Sequence, residues 1–194
     1  MSEILEKLFH SKAEVKIIRL FLNDTENDYS MSDISSKTKE SVLVAKKEVL
    51  NLEKIGFLSL IKKDKKISYK INANFPLHED LKKLFFKASP ASSDKIKSRI
   101  EKIGQVRLVL ISGSLINSDK GRVDILIVGD SINKNKLIDF LSDIEAEVGR
   151  NIRYVYMTHD EFKYRKNMFD KFIIDILEGP NKILIDKLGS SGRI

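Results

Sequence analysis

Cysteine and tryptophan are missing from the 194 residues, and proline occurs only three times. Without cysteine the chain can form neither disulfides nor thiolate metal sites, which suits a reducing compartment. His10, His78 and His159 are too scattered to suggest a zinc site. No apolar run approaches the roughly 18–20 residues needed to cross a bilayer. The opening "MSEILEKLFH" has charges inside its apolar pattern and no cleavage site, unlike a secretion signal. These absences lead to the expectation of a cytoplasmic protein with no membrane partner. What is present is 42% hydrophobic and 32% charged residues, enough apolar material for a real core. The net charge of +7 is spread over both halves, so an acidic partner must be argued from local clusters.

The small, polar stretch "KASPASSDK", Lys87 to Lys95, reads as a linker. It divides the chain into residues 1–88 and 89–194. In the first part, Ser11 and Glu14 have capping-box spacing before a helix whose stripe is Val15, Ile18 and Leu22. Ser30 and Asp33 repeat the device, with Asp the weaker partner. A further helix is expected over about Ser41–Ile55. Val42, Ala45, Val49 and Leu52 face its core side and Gly56 stops it. Two β-prone runs, Phe57–Ile61 and Ile67–Ile71, flank a lysine-rich turn and read as a hairpin. A last helix carries Leu81, Leu84, Phe85 and Phe86, which pack back on this part or pair with a second chain.

The second part alternates helices and strands. "VRLVLIS" and "VDILIVG" are nearly continuous apolar runs, as expected for strands covered on both faces. "IRYVYMT" and "NKILID" read as further strands. "NKNKLIDFLSDIEAEVG" reads as an amphipathic helix, and "HDEFKYRKNMFDKFIIDILEG" as one helix or two. The fold class expected is α+β.

Helices followed by a basic hairpin resemble a winged helix-turn-helix of the ArsR-like kind over about residues 1–75, most clearly in "KKEVLNLEKIGFLSLIKKDKKISYKIN". The resemblance implies a DNA-binding domain. A helix fits the major groove, and its first turns reach base edges. On the third helix Ser41 would bond a base edge or phosphate, Leu43 would touch a thymine methyl, and Lys46 and Lys47 would neutralise phosphates. With another helix phase, Leu43 and Val44 would be core residues instead. Lys62, Lys63, Lys65 and Lys66 at the hairpin tip, with Lys70 on the return strand, suit the DNA backbone. The plain alternative is a solvated lysine turn that protects a hairpin edge. Partners expected from this reading are double-stranded DNA and a second copy of the chain in a homodimer.

In the second part, "GSLINSDKGRVDILIVGD" places Gly113-Ser114 ahead of a strand with one carboxylate, Asp124. With the strand and helix order, this resembles a minimal nucleotidyltransferase domain of the DNA polymerase β-like type over about residues 95–160. In active relatives the Gly-Ser turn holds the nucleotide phosphates. Two carboxylates two residues apart, with a third on the next strand, hold magnesium. Side chains two apart on a strand share a face, so such a pair can grip the same ions. Here one register puts Arg122 at the first carboxylate position and Asp124 at the second. The other makes Asp124 the first and Leu126 the second. Arg153 stands near the third position. A guanidinium cannot ligate a cation. Asp124 is therefore expected to be a remnant, paired with one of the arginines rather than with metal, or else a plain strand-end residue. No catalytic residue, metal or cofactor is assigned. The domain would serve assembly, or would sense a nucleotide through Gly113, Ser114 and Arg122. The alternative is an active nucleotidyltransferase that uses magnesium and nucleotide, targeted by its winged helix.

Overall fold

The computed structural model describes residues 2–9, 11–64, 66–88, 93–116, 118 and 121–189. Lys65, singled out from the sequence, lies outside these residues, as does the centre of the expected linker, 89–92. The fold is mixed α+β with two sheets, one antiparallel and one mixed. The chain divides into two compact units, residues 1–90 with 145–151, and residues 91–144 with 152–194. Among the described residues no helix is long and apolar enough to cross a membrane.

The first unit begins with helices α1 (Ser2–Leu8), α2 (Lys12–Asn23), α3 (Met31–Thr38) and α4 (Val42–Lys54). Strands β1 (Leu58–Lys63) and β2 (Lys66–Ile71) follow, then α5 (His78–Lys87). Helix α2 lies at the centre of this unit. Val15, Ile17, Ile18, Phe21 and Leu22 are all buried, and so are two cations on the same helix, Lys16 and Arg19. Each cation has acceptors that offset its desolvation. Lys16 Nζ donates to the Thr38 carbonyl at 2.8 Å and to Glu40 at 2.6 Å. Arg19 Nη2 donates to the Ala88 carbonyl at 3.0 Å, and its guanidinium carbon lies 5.7 Å from the Phe85 ring centroid. Burial lowers the Arg19 pKa to about 10. The apolar stripe read from the sequence is thus correct, but it misses the two buried charges.

The caps depart from expectation in an instructive way. Ser11 Oγ accepts from Glu14 N at 3.1 Å, one arm of a capping box. Its own hydrogen goes to Glu48 Oε1 at 2.8 Å, thirty-seven residues away. The pair with the supposedly weaker acid makes the full box. Asp33 N donates to Ser30 Oγ at 3.2 Å, and Asp33 Oδ2 accepts from Ser30 N at 3.0 Å. Helix α4 is capped by Ser41 and ends before Gly56, whose φ of 82° suits glycine. Val42, expected in the core, is exposed. The buried face is Ala45, Glu48, Val49 and Leu52, and Val42 at the first turn lies off that arc.

Strands β1 and β2 pair antiparallel with Lys63 opposite Lys66, leaving a two-residue turn. Asp64, its first residue, has φ 54°, as tight hairpins require. A feature with no sequence signal is the single bridge between Tyr29 and Tyr69, whose N–H groups exchange bonds of 2.9 and 2.8 Å. It ties the α2–α3 connection to the hairpin. Of the α5 residues suggested for dimer pairing, Phe85 is buried in this unit's own core beside Phe9, whereas Leu84 and Phe86 are exposed.

The second unit holds α6 (Ser93–Ile100), β3 (Gln105–Ser112), a 3-10 turn at Gly113–Ile116, β4 (Ile125–Asp130), α7 (Lys134–Val148) as far as Ile144, β5 (Tyr154–Met157), α8 (His159–Asn167), α9 (Lys171–Glu178) and β6 (Asn181–Asp186). The sheet order is β5-β4-β3-β6. Strands β3–β4 and β3–β6 are antiparallel, and β4–β5 is parallel. The two central strands are almost wholly buried, as their nearly continuous apolar runs require. The last long helical stretch is two helices. Met168–Asp170 separates them, with Phe169 at φ 53°. Two strands are shorter than expected. Strand β4 starts at Ile125, so Arg122 and Asp124 precede it. Strand β5 starts at Tyr154, one residue after Arg153.

Candidate functional site

In the first unit the candidates gather on α4 and the hairpin. Counting from the buried face, Leu43, Lys47, Leu50 and Lys54 recur at helical spacing along the opposite side. All four are exposed, and Lys46 flanks them. Leu43 is 80% exposed, which settles the helix phase against a core role for it. Val44 is exposed as well. Ser41 has a structural duty: its Oγ accepts from Val44 N at 3.3 Å and closes the first turn. Capping uses one lone pair and leaves the hydroxyl hydrogen free to turn outward. Lys62, Lys63 and Lys66 are exposed along the hairpin end, and Lys70 is half-buried on the return strand.

In the second unit everything turns on Asp124, which has no exposed surface. Its backbone is held from both sides. Ser112 N donates to the Asp124 carbonyl at 2.9 Å, and Asp124 N donates to the Arg153 carbonyl at 2.7 Å. Its carboxylate is ringed by donors. Oδ1 accepts from Ser114 N at 2.8 Å, Ser114 Oγ at 2.9 Å and Arg153 Nη2 at 3.3 Å. Oδ2 accepts from Arg153 N at 3.0 Å and Arg153 Nε at 3.1 Å. Burial alone would raise the pKa of this carboxyl. The bonds from Arg153 and Ser114 outweigh burial and hold it below the ordinary carboxylate range. The same pairing raises the Arg153 pKa.

The expected ion pair therefore exists, and Arg153 makes it. Arg122 does not reach Asp124. Its Nη2 lies 2.7 Å from Asp175 Oδ2 on α9. Asp175 carried no signal in the sequence, because only the chain's return past the sheet brings it there. Arg122 and Asp175 line a cleft of about 360 Å³ with Ser112, Gly121, Ile176, Gly179 and Pro180. Asp130 ends β4. It accepts from Arg107 Nε at 2.8 Å and His159 N at 3.2 Å, a structural role.

Gly113 has φ 53°, and a Cβ built on it would collide with the Asp124 carboxylate and lie 3.2 Å from Arg153 Nη2. The glycine is needed for close approach, but what approaches is a side chain of the same protein. The Ser114 amide, the donor a phosphate would use, is already bonded to Asp124. A magnesium site does not fit this donor set. The lone carboxylate is enclosed, and a fixed guanidinium spans both of its oxygens. Among the described residues no three His, Asp or Glu side chains gather closely enough to hold an ion.

In comparisons with known proteins, no family model matches this chain, and neither does any curated protein or solved structure.

Proposed function

We propose that this chain is a DNA-binding transcriptional regulator. The first unit acts as a winged helix. The second is a nucleotidyltransferase-like domain without transfer chemistry, used for assembly. The observation that carries the DNA reading is the outward side of α4. Its first turns are free of core packing, it bears Lys46, Lys47 and Lys54, and it runs directly into a hairpin edged with Lys62, Lys63 and Lys66. A helix about 10–12 Å across matches a major groove about 12 Å wide. Lysines beside it supply phosphate contacts that position without reading sequence. Two-fold pairing of chains would double a short readout, so a homodimer is part of the proposal.

The enclosure of Asp124 supports the absence of transfer. Two-metal phosphoryl transfer needs paired carboxylates open to ions and substrate, and here the remaining acid is neutralised from within the protein. The same bonds weaken the nucleotide-sensing variant, because Gly113 and Ser114 are committed to Asp124 and Arg122 to Asp175.

Fluorescence anisotropy with labelled duplex DNA across a salt series tests the DNA reading. Replacing Lys62, Lys63, Lys65 and Lys66 by Ala is expected to weaken binding on every sequence. The slope of log K against log salt should fall by about 0.9 for each phosphate that is no longer neutralised, or about 3–4 for all four lysines. An unchanged slope means the hairpin is not a DNA-binding wing.

A further inference from the structure

The start of α4 is apolar where a solvated helix end should be polar. Val42, Leu43 and Val44 are consecutive, and they are 53%, 80% and 39% exposed. Leu50, two turns along the same outward side, is 44% exposed. Three exposed apolar residues in a row are a fault in a surface helix unless something covers them. Lys46, Lys47 and Lys54 flank these residues, so a polyanion is the cover whose charge complements them. The outward side of these first turns offers no glutamine or asparagine for bidentate bonds to adenine, and its charged donors are the lysines Lys46 and Lys47. In the major groove one feature is apolar, the C5-methyl of thymine.

We propose that the first turn of α4 reads pyrimidine C5-methyl groups in the major groove, with Leu43 as the principal contact. This rests on the DNA reading above and names what that surface recognises. The sequence pointed to Leu43 alone. The exposure of Val42 and Val44 turns a single contact into an apolar tip, with Ser41 beneath it holding the turn in shape. Specificity then comes from the spacing of methyl groups, while the flanking lysines supply affinity that ignores sequence.

The test begins with a duplex selected by the full-length protein from a random pool. Each thymine is replaced in turn by deoxyuridine, which removes the methyl and keeps every hydrogen-bonding group. At one or more positions the dissociation constant is expected to rise about four-fold, the worth of one buried methyl-sized group. Leu43→Ala is expected to abolish that penalty at its own position. Leu43 is exposed, so the variant should fold as the parent does. A duplex with 5-methylcytosine opposite guanine at the same position separates the two natural bearers of the group. Retained affinity assigns readout to the methyl in either base, and lost affinity narrows it to thymine. If a selected duplex binds tightly and no uridine substitution matters, the methyl reading is overturned while the DNA reading stands. If no duplex binds at all, or binding proves to be to an apolar protein surface insensitive to salt, both fall.

Discussion

Asp124→Asn changes one atom and should cost far more than removing the whole Arg153 side chain. In the parent, both carboxylate oxygens face donors: Ser114 N and Oγ with Arg153 Nη2 on one side, Arg153 N and Nε on the other. An amide has one acceptor and one donor end. Turned one way, its NH₂ meets the Arg153 N–H groups. Turned the other way, it meets the Ser114 amide, and only the Ser114 hydroxyl can rotate to accept. Either orientation leaves a buried backbone N–H unpaired, at about 1–3 kcal/mol, and strips the charge from the remaining bonds, at about 1 kcal/mol more. The sum is about 2–4 kcal/mol. Arg153→Ala keeps the backbone and Ser114 bonds and loses a side chain that is 54% exposed. Its pair is largely solvated on the arginine side, so about 1 kcal/mol is expected. Urea titration followed by circular dichroism, with hydrogen exchange at the Ser114 and Arg153 amides, measures both. The depressed Asp124 pKa gives a second signature. Its stabilisation is complete above the ordinary carboxylate pKa of about 3.9 and is lost as pH falls through the lowered folded value. The gap between parent and Asp124→Asn should therefore be full at pH 7 and close in acid. A stability for Asp124→Asn within about 0.5 kcal/mol of the parent, or a larger loss for Arg153→Ala, refutes this account of the site.

Gly113→Ala should destabilise by more than the roughly 1–2 kcal/mol of a left-handed backbone alone, because its Cβ would enter the space of the Asp124 carboxylate; the melting temperature reads this. Ser30→Ala should cost about 1 kcal/mol by removing a complete capping box, and Asp33→Ala somewhat less, as thermal unfolding would show. Incubation with labelled nucleotides and magnesium should give no transfer to protein or nucleic acid. Transfer that disappears in Asp124→Ala would establish the active-enzyme alternative instead.

Much of the local structure was legible because it depends on neighbours in the chain. The caps at Ser11 and Ser30 each involve residues three apart, the Gly56 stop is a backbone property, and the hairpin follows from two β-prone runs around a short turn. Even here local reasoning misranked the two capping boxes. Asp33 can reach back to the Ser30 amide, whereas Glu48, brought in from another helix, takes the Ser11 hydroxyl hydrogen. Strand ends were less legible. An apolar run does not say where ladder bonding stops, and Val123 is as buried as the strand it precedes.

By itself the sequence determined that one carboxylate, Asp124, stands at the head of an apolar run, and that two arginines, Arg122 and Arg153, are available to oppose it. Only the tertiary structure decided that Arg153 takes Asp124 while Arg122 turns to Asp175. The reason is reach. A side chain spans a few ångströms, so its partner is chosen by which strands and helices the fold sets side by side. Arg153 enters beside Asp124 because β5 lies parallel to β4, and Asp175 arrives with a helix far along the chain from Arg122. The exposed tip of α4 was decided in the same way. Helical spacing sorts its residues into arcs, but only the packing of the neighbouring elements determines which arc is covered.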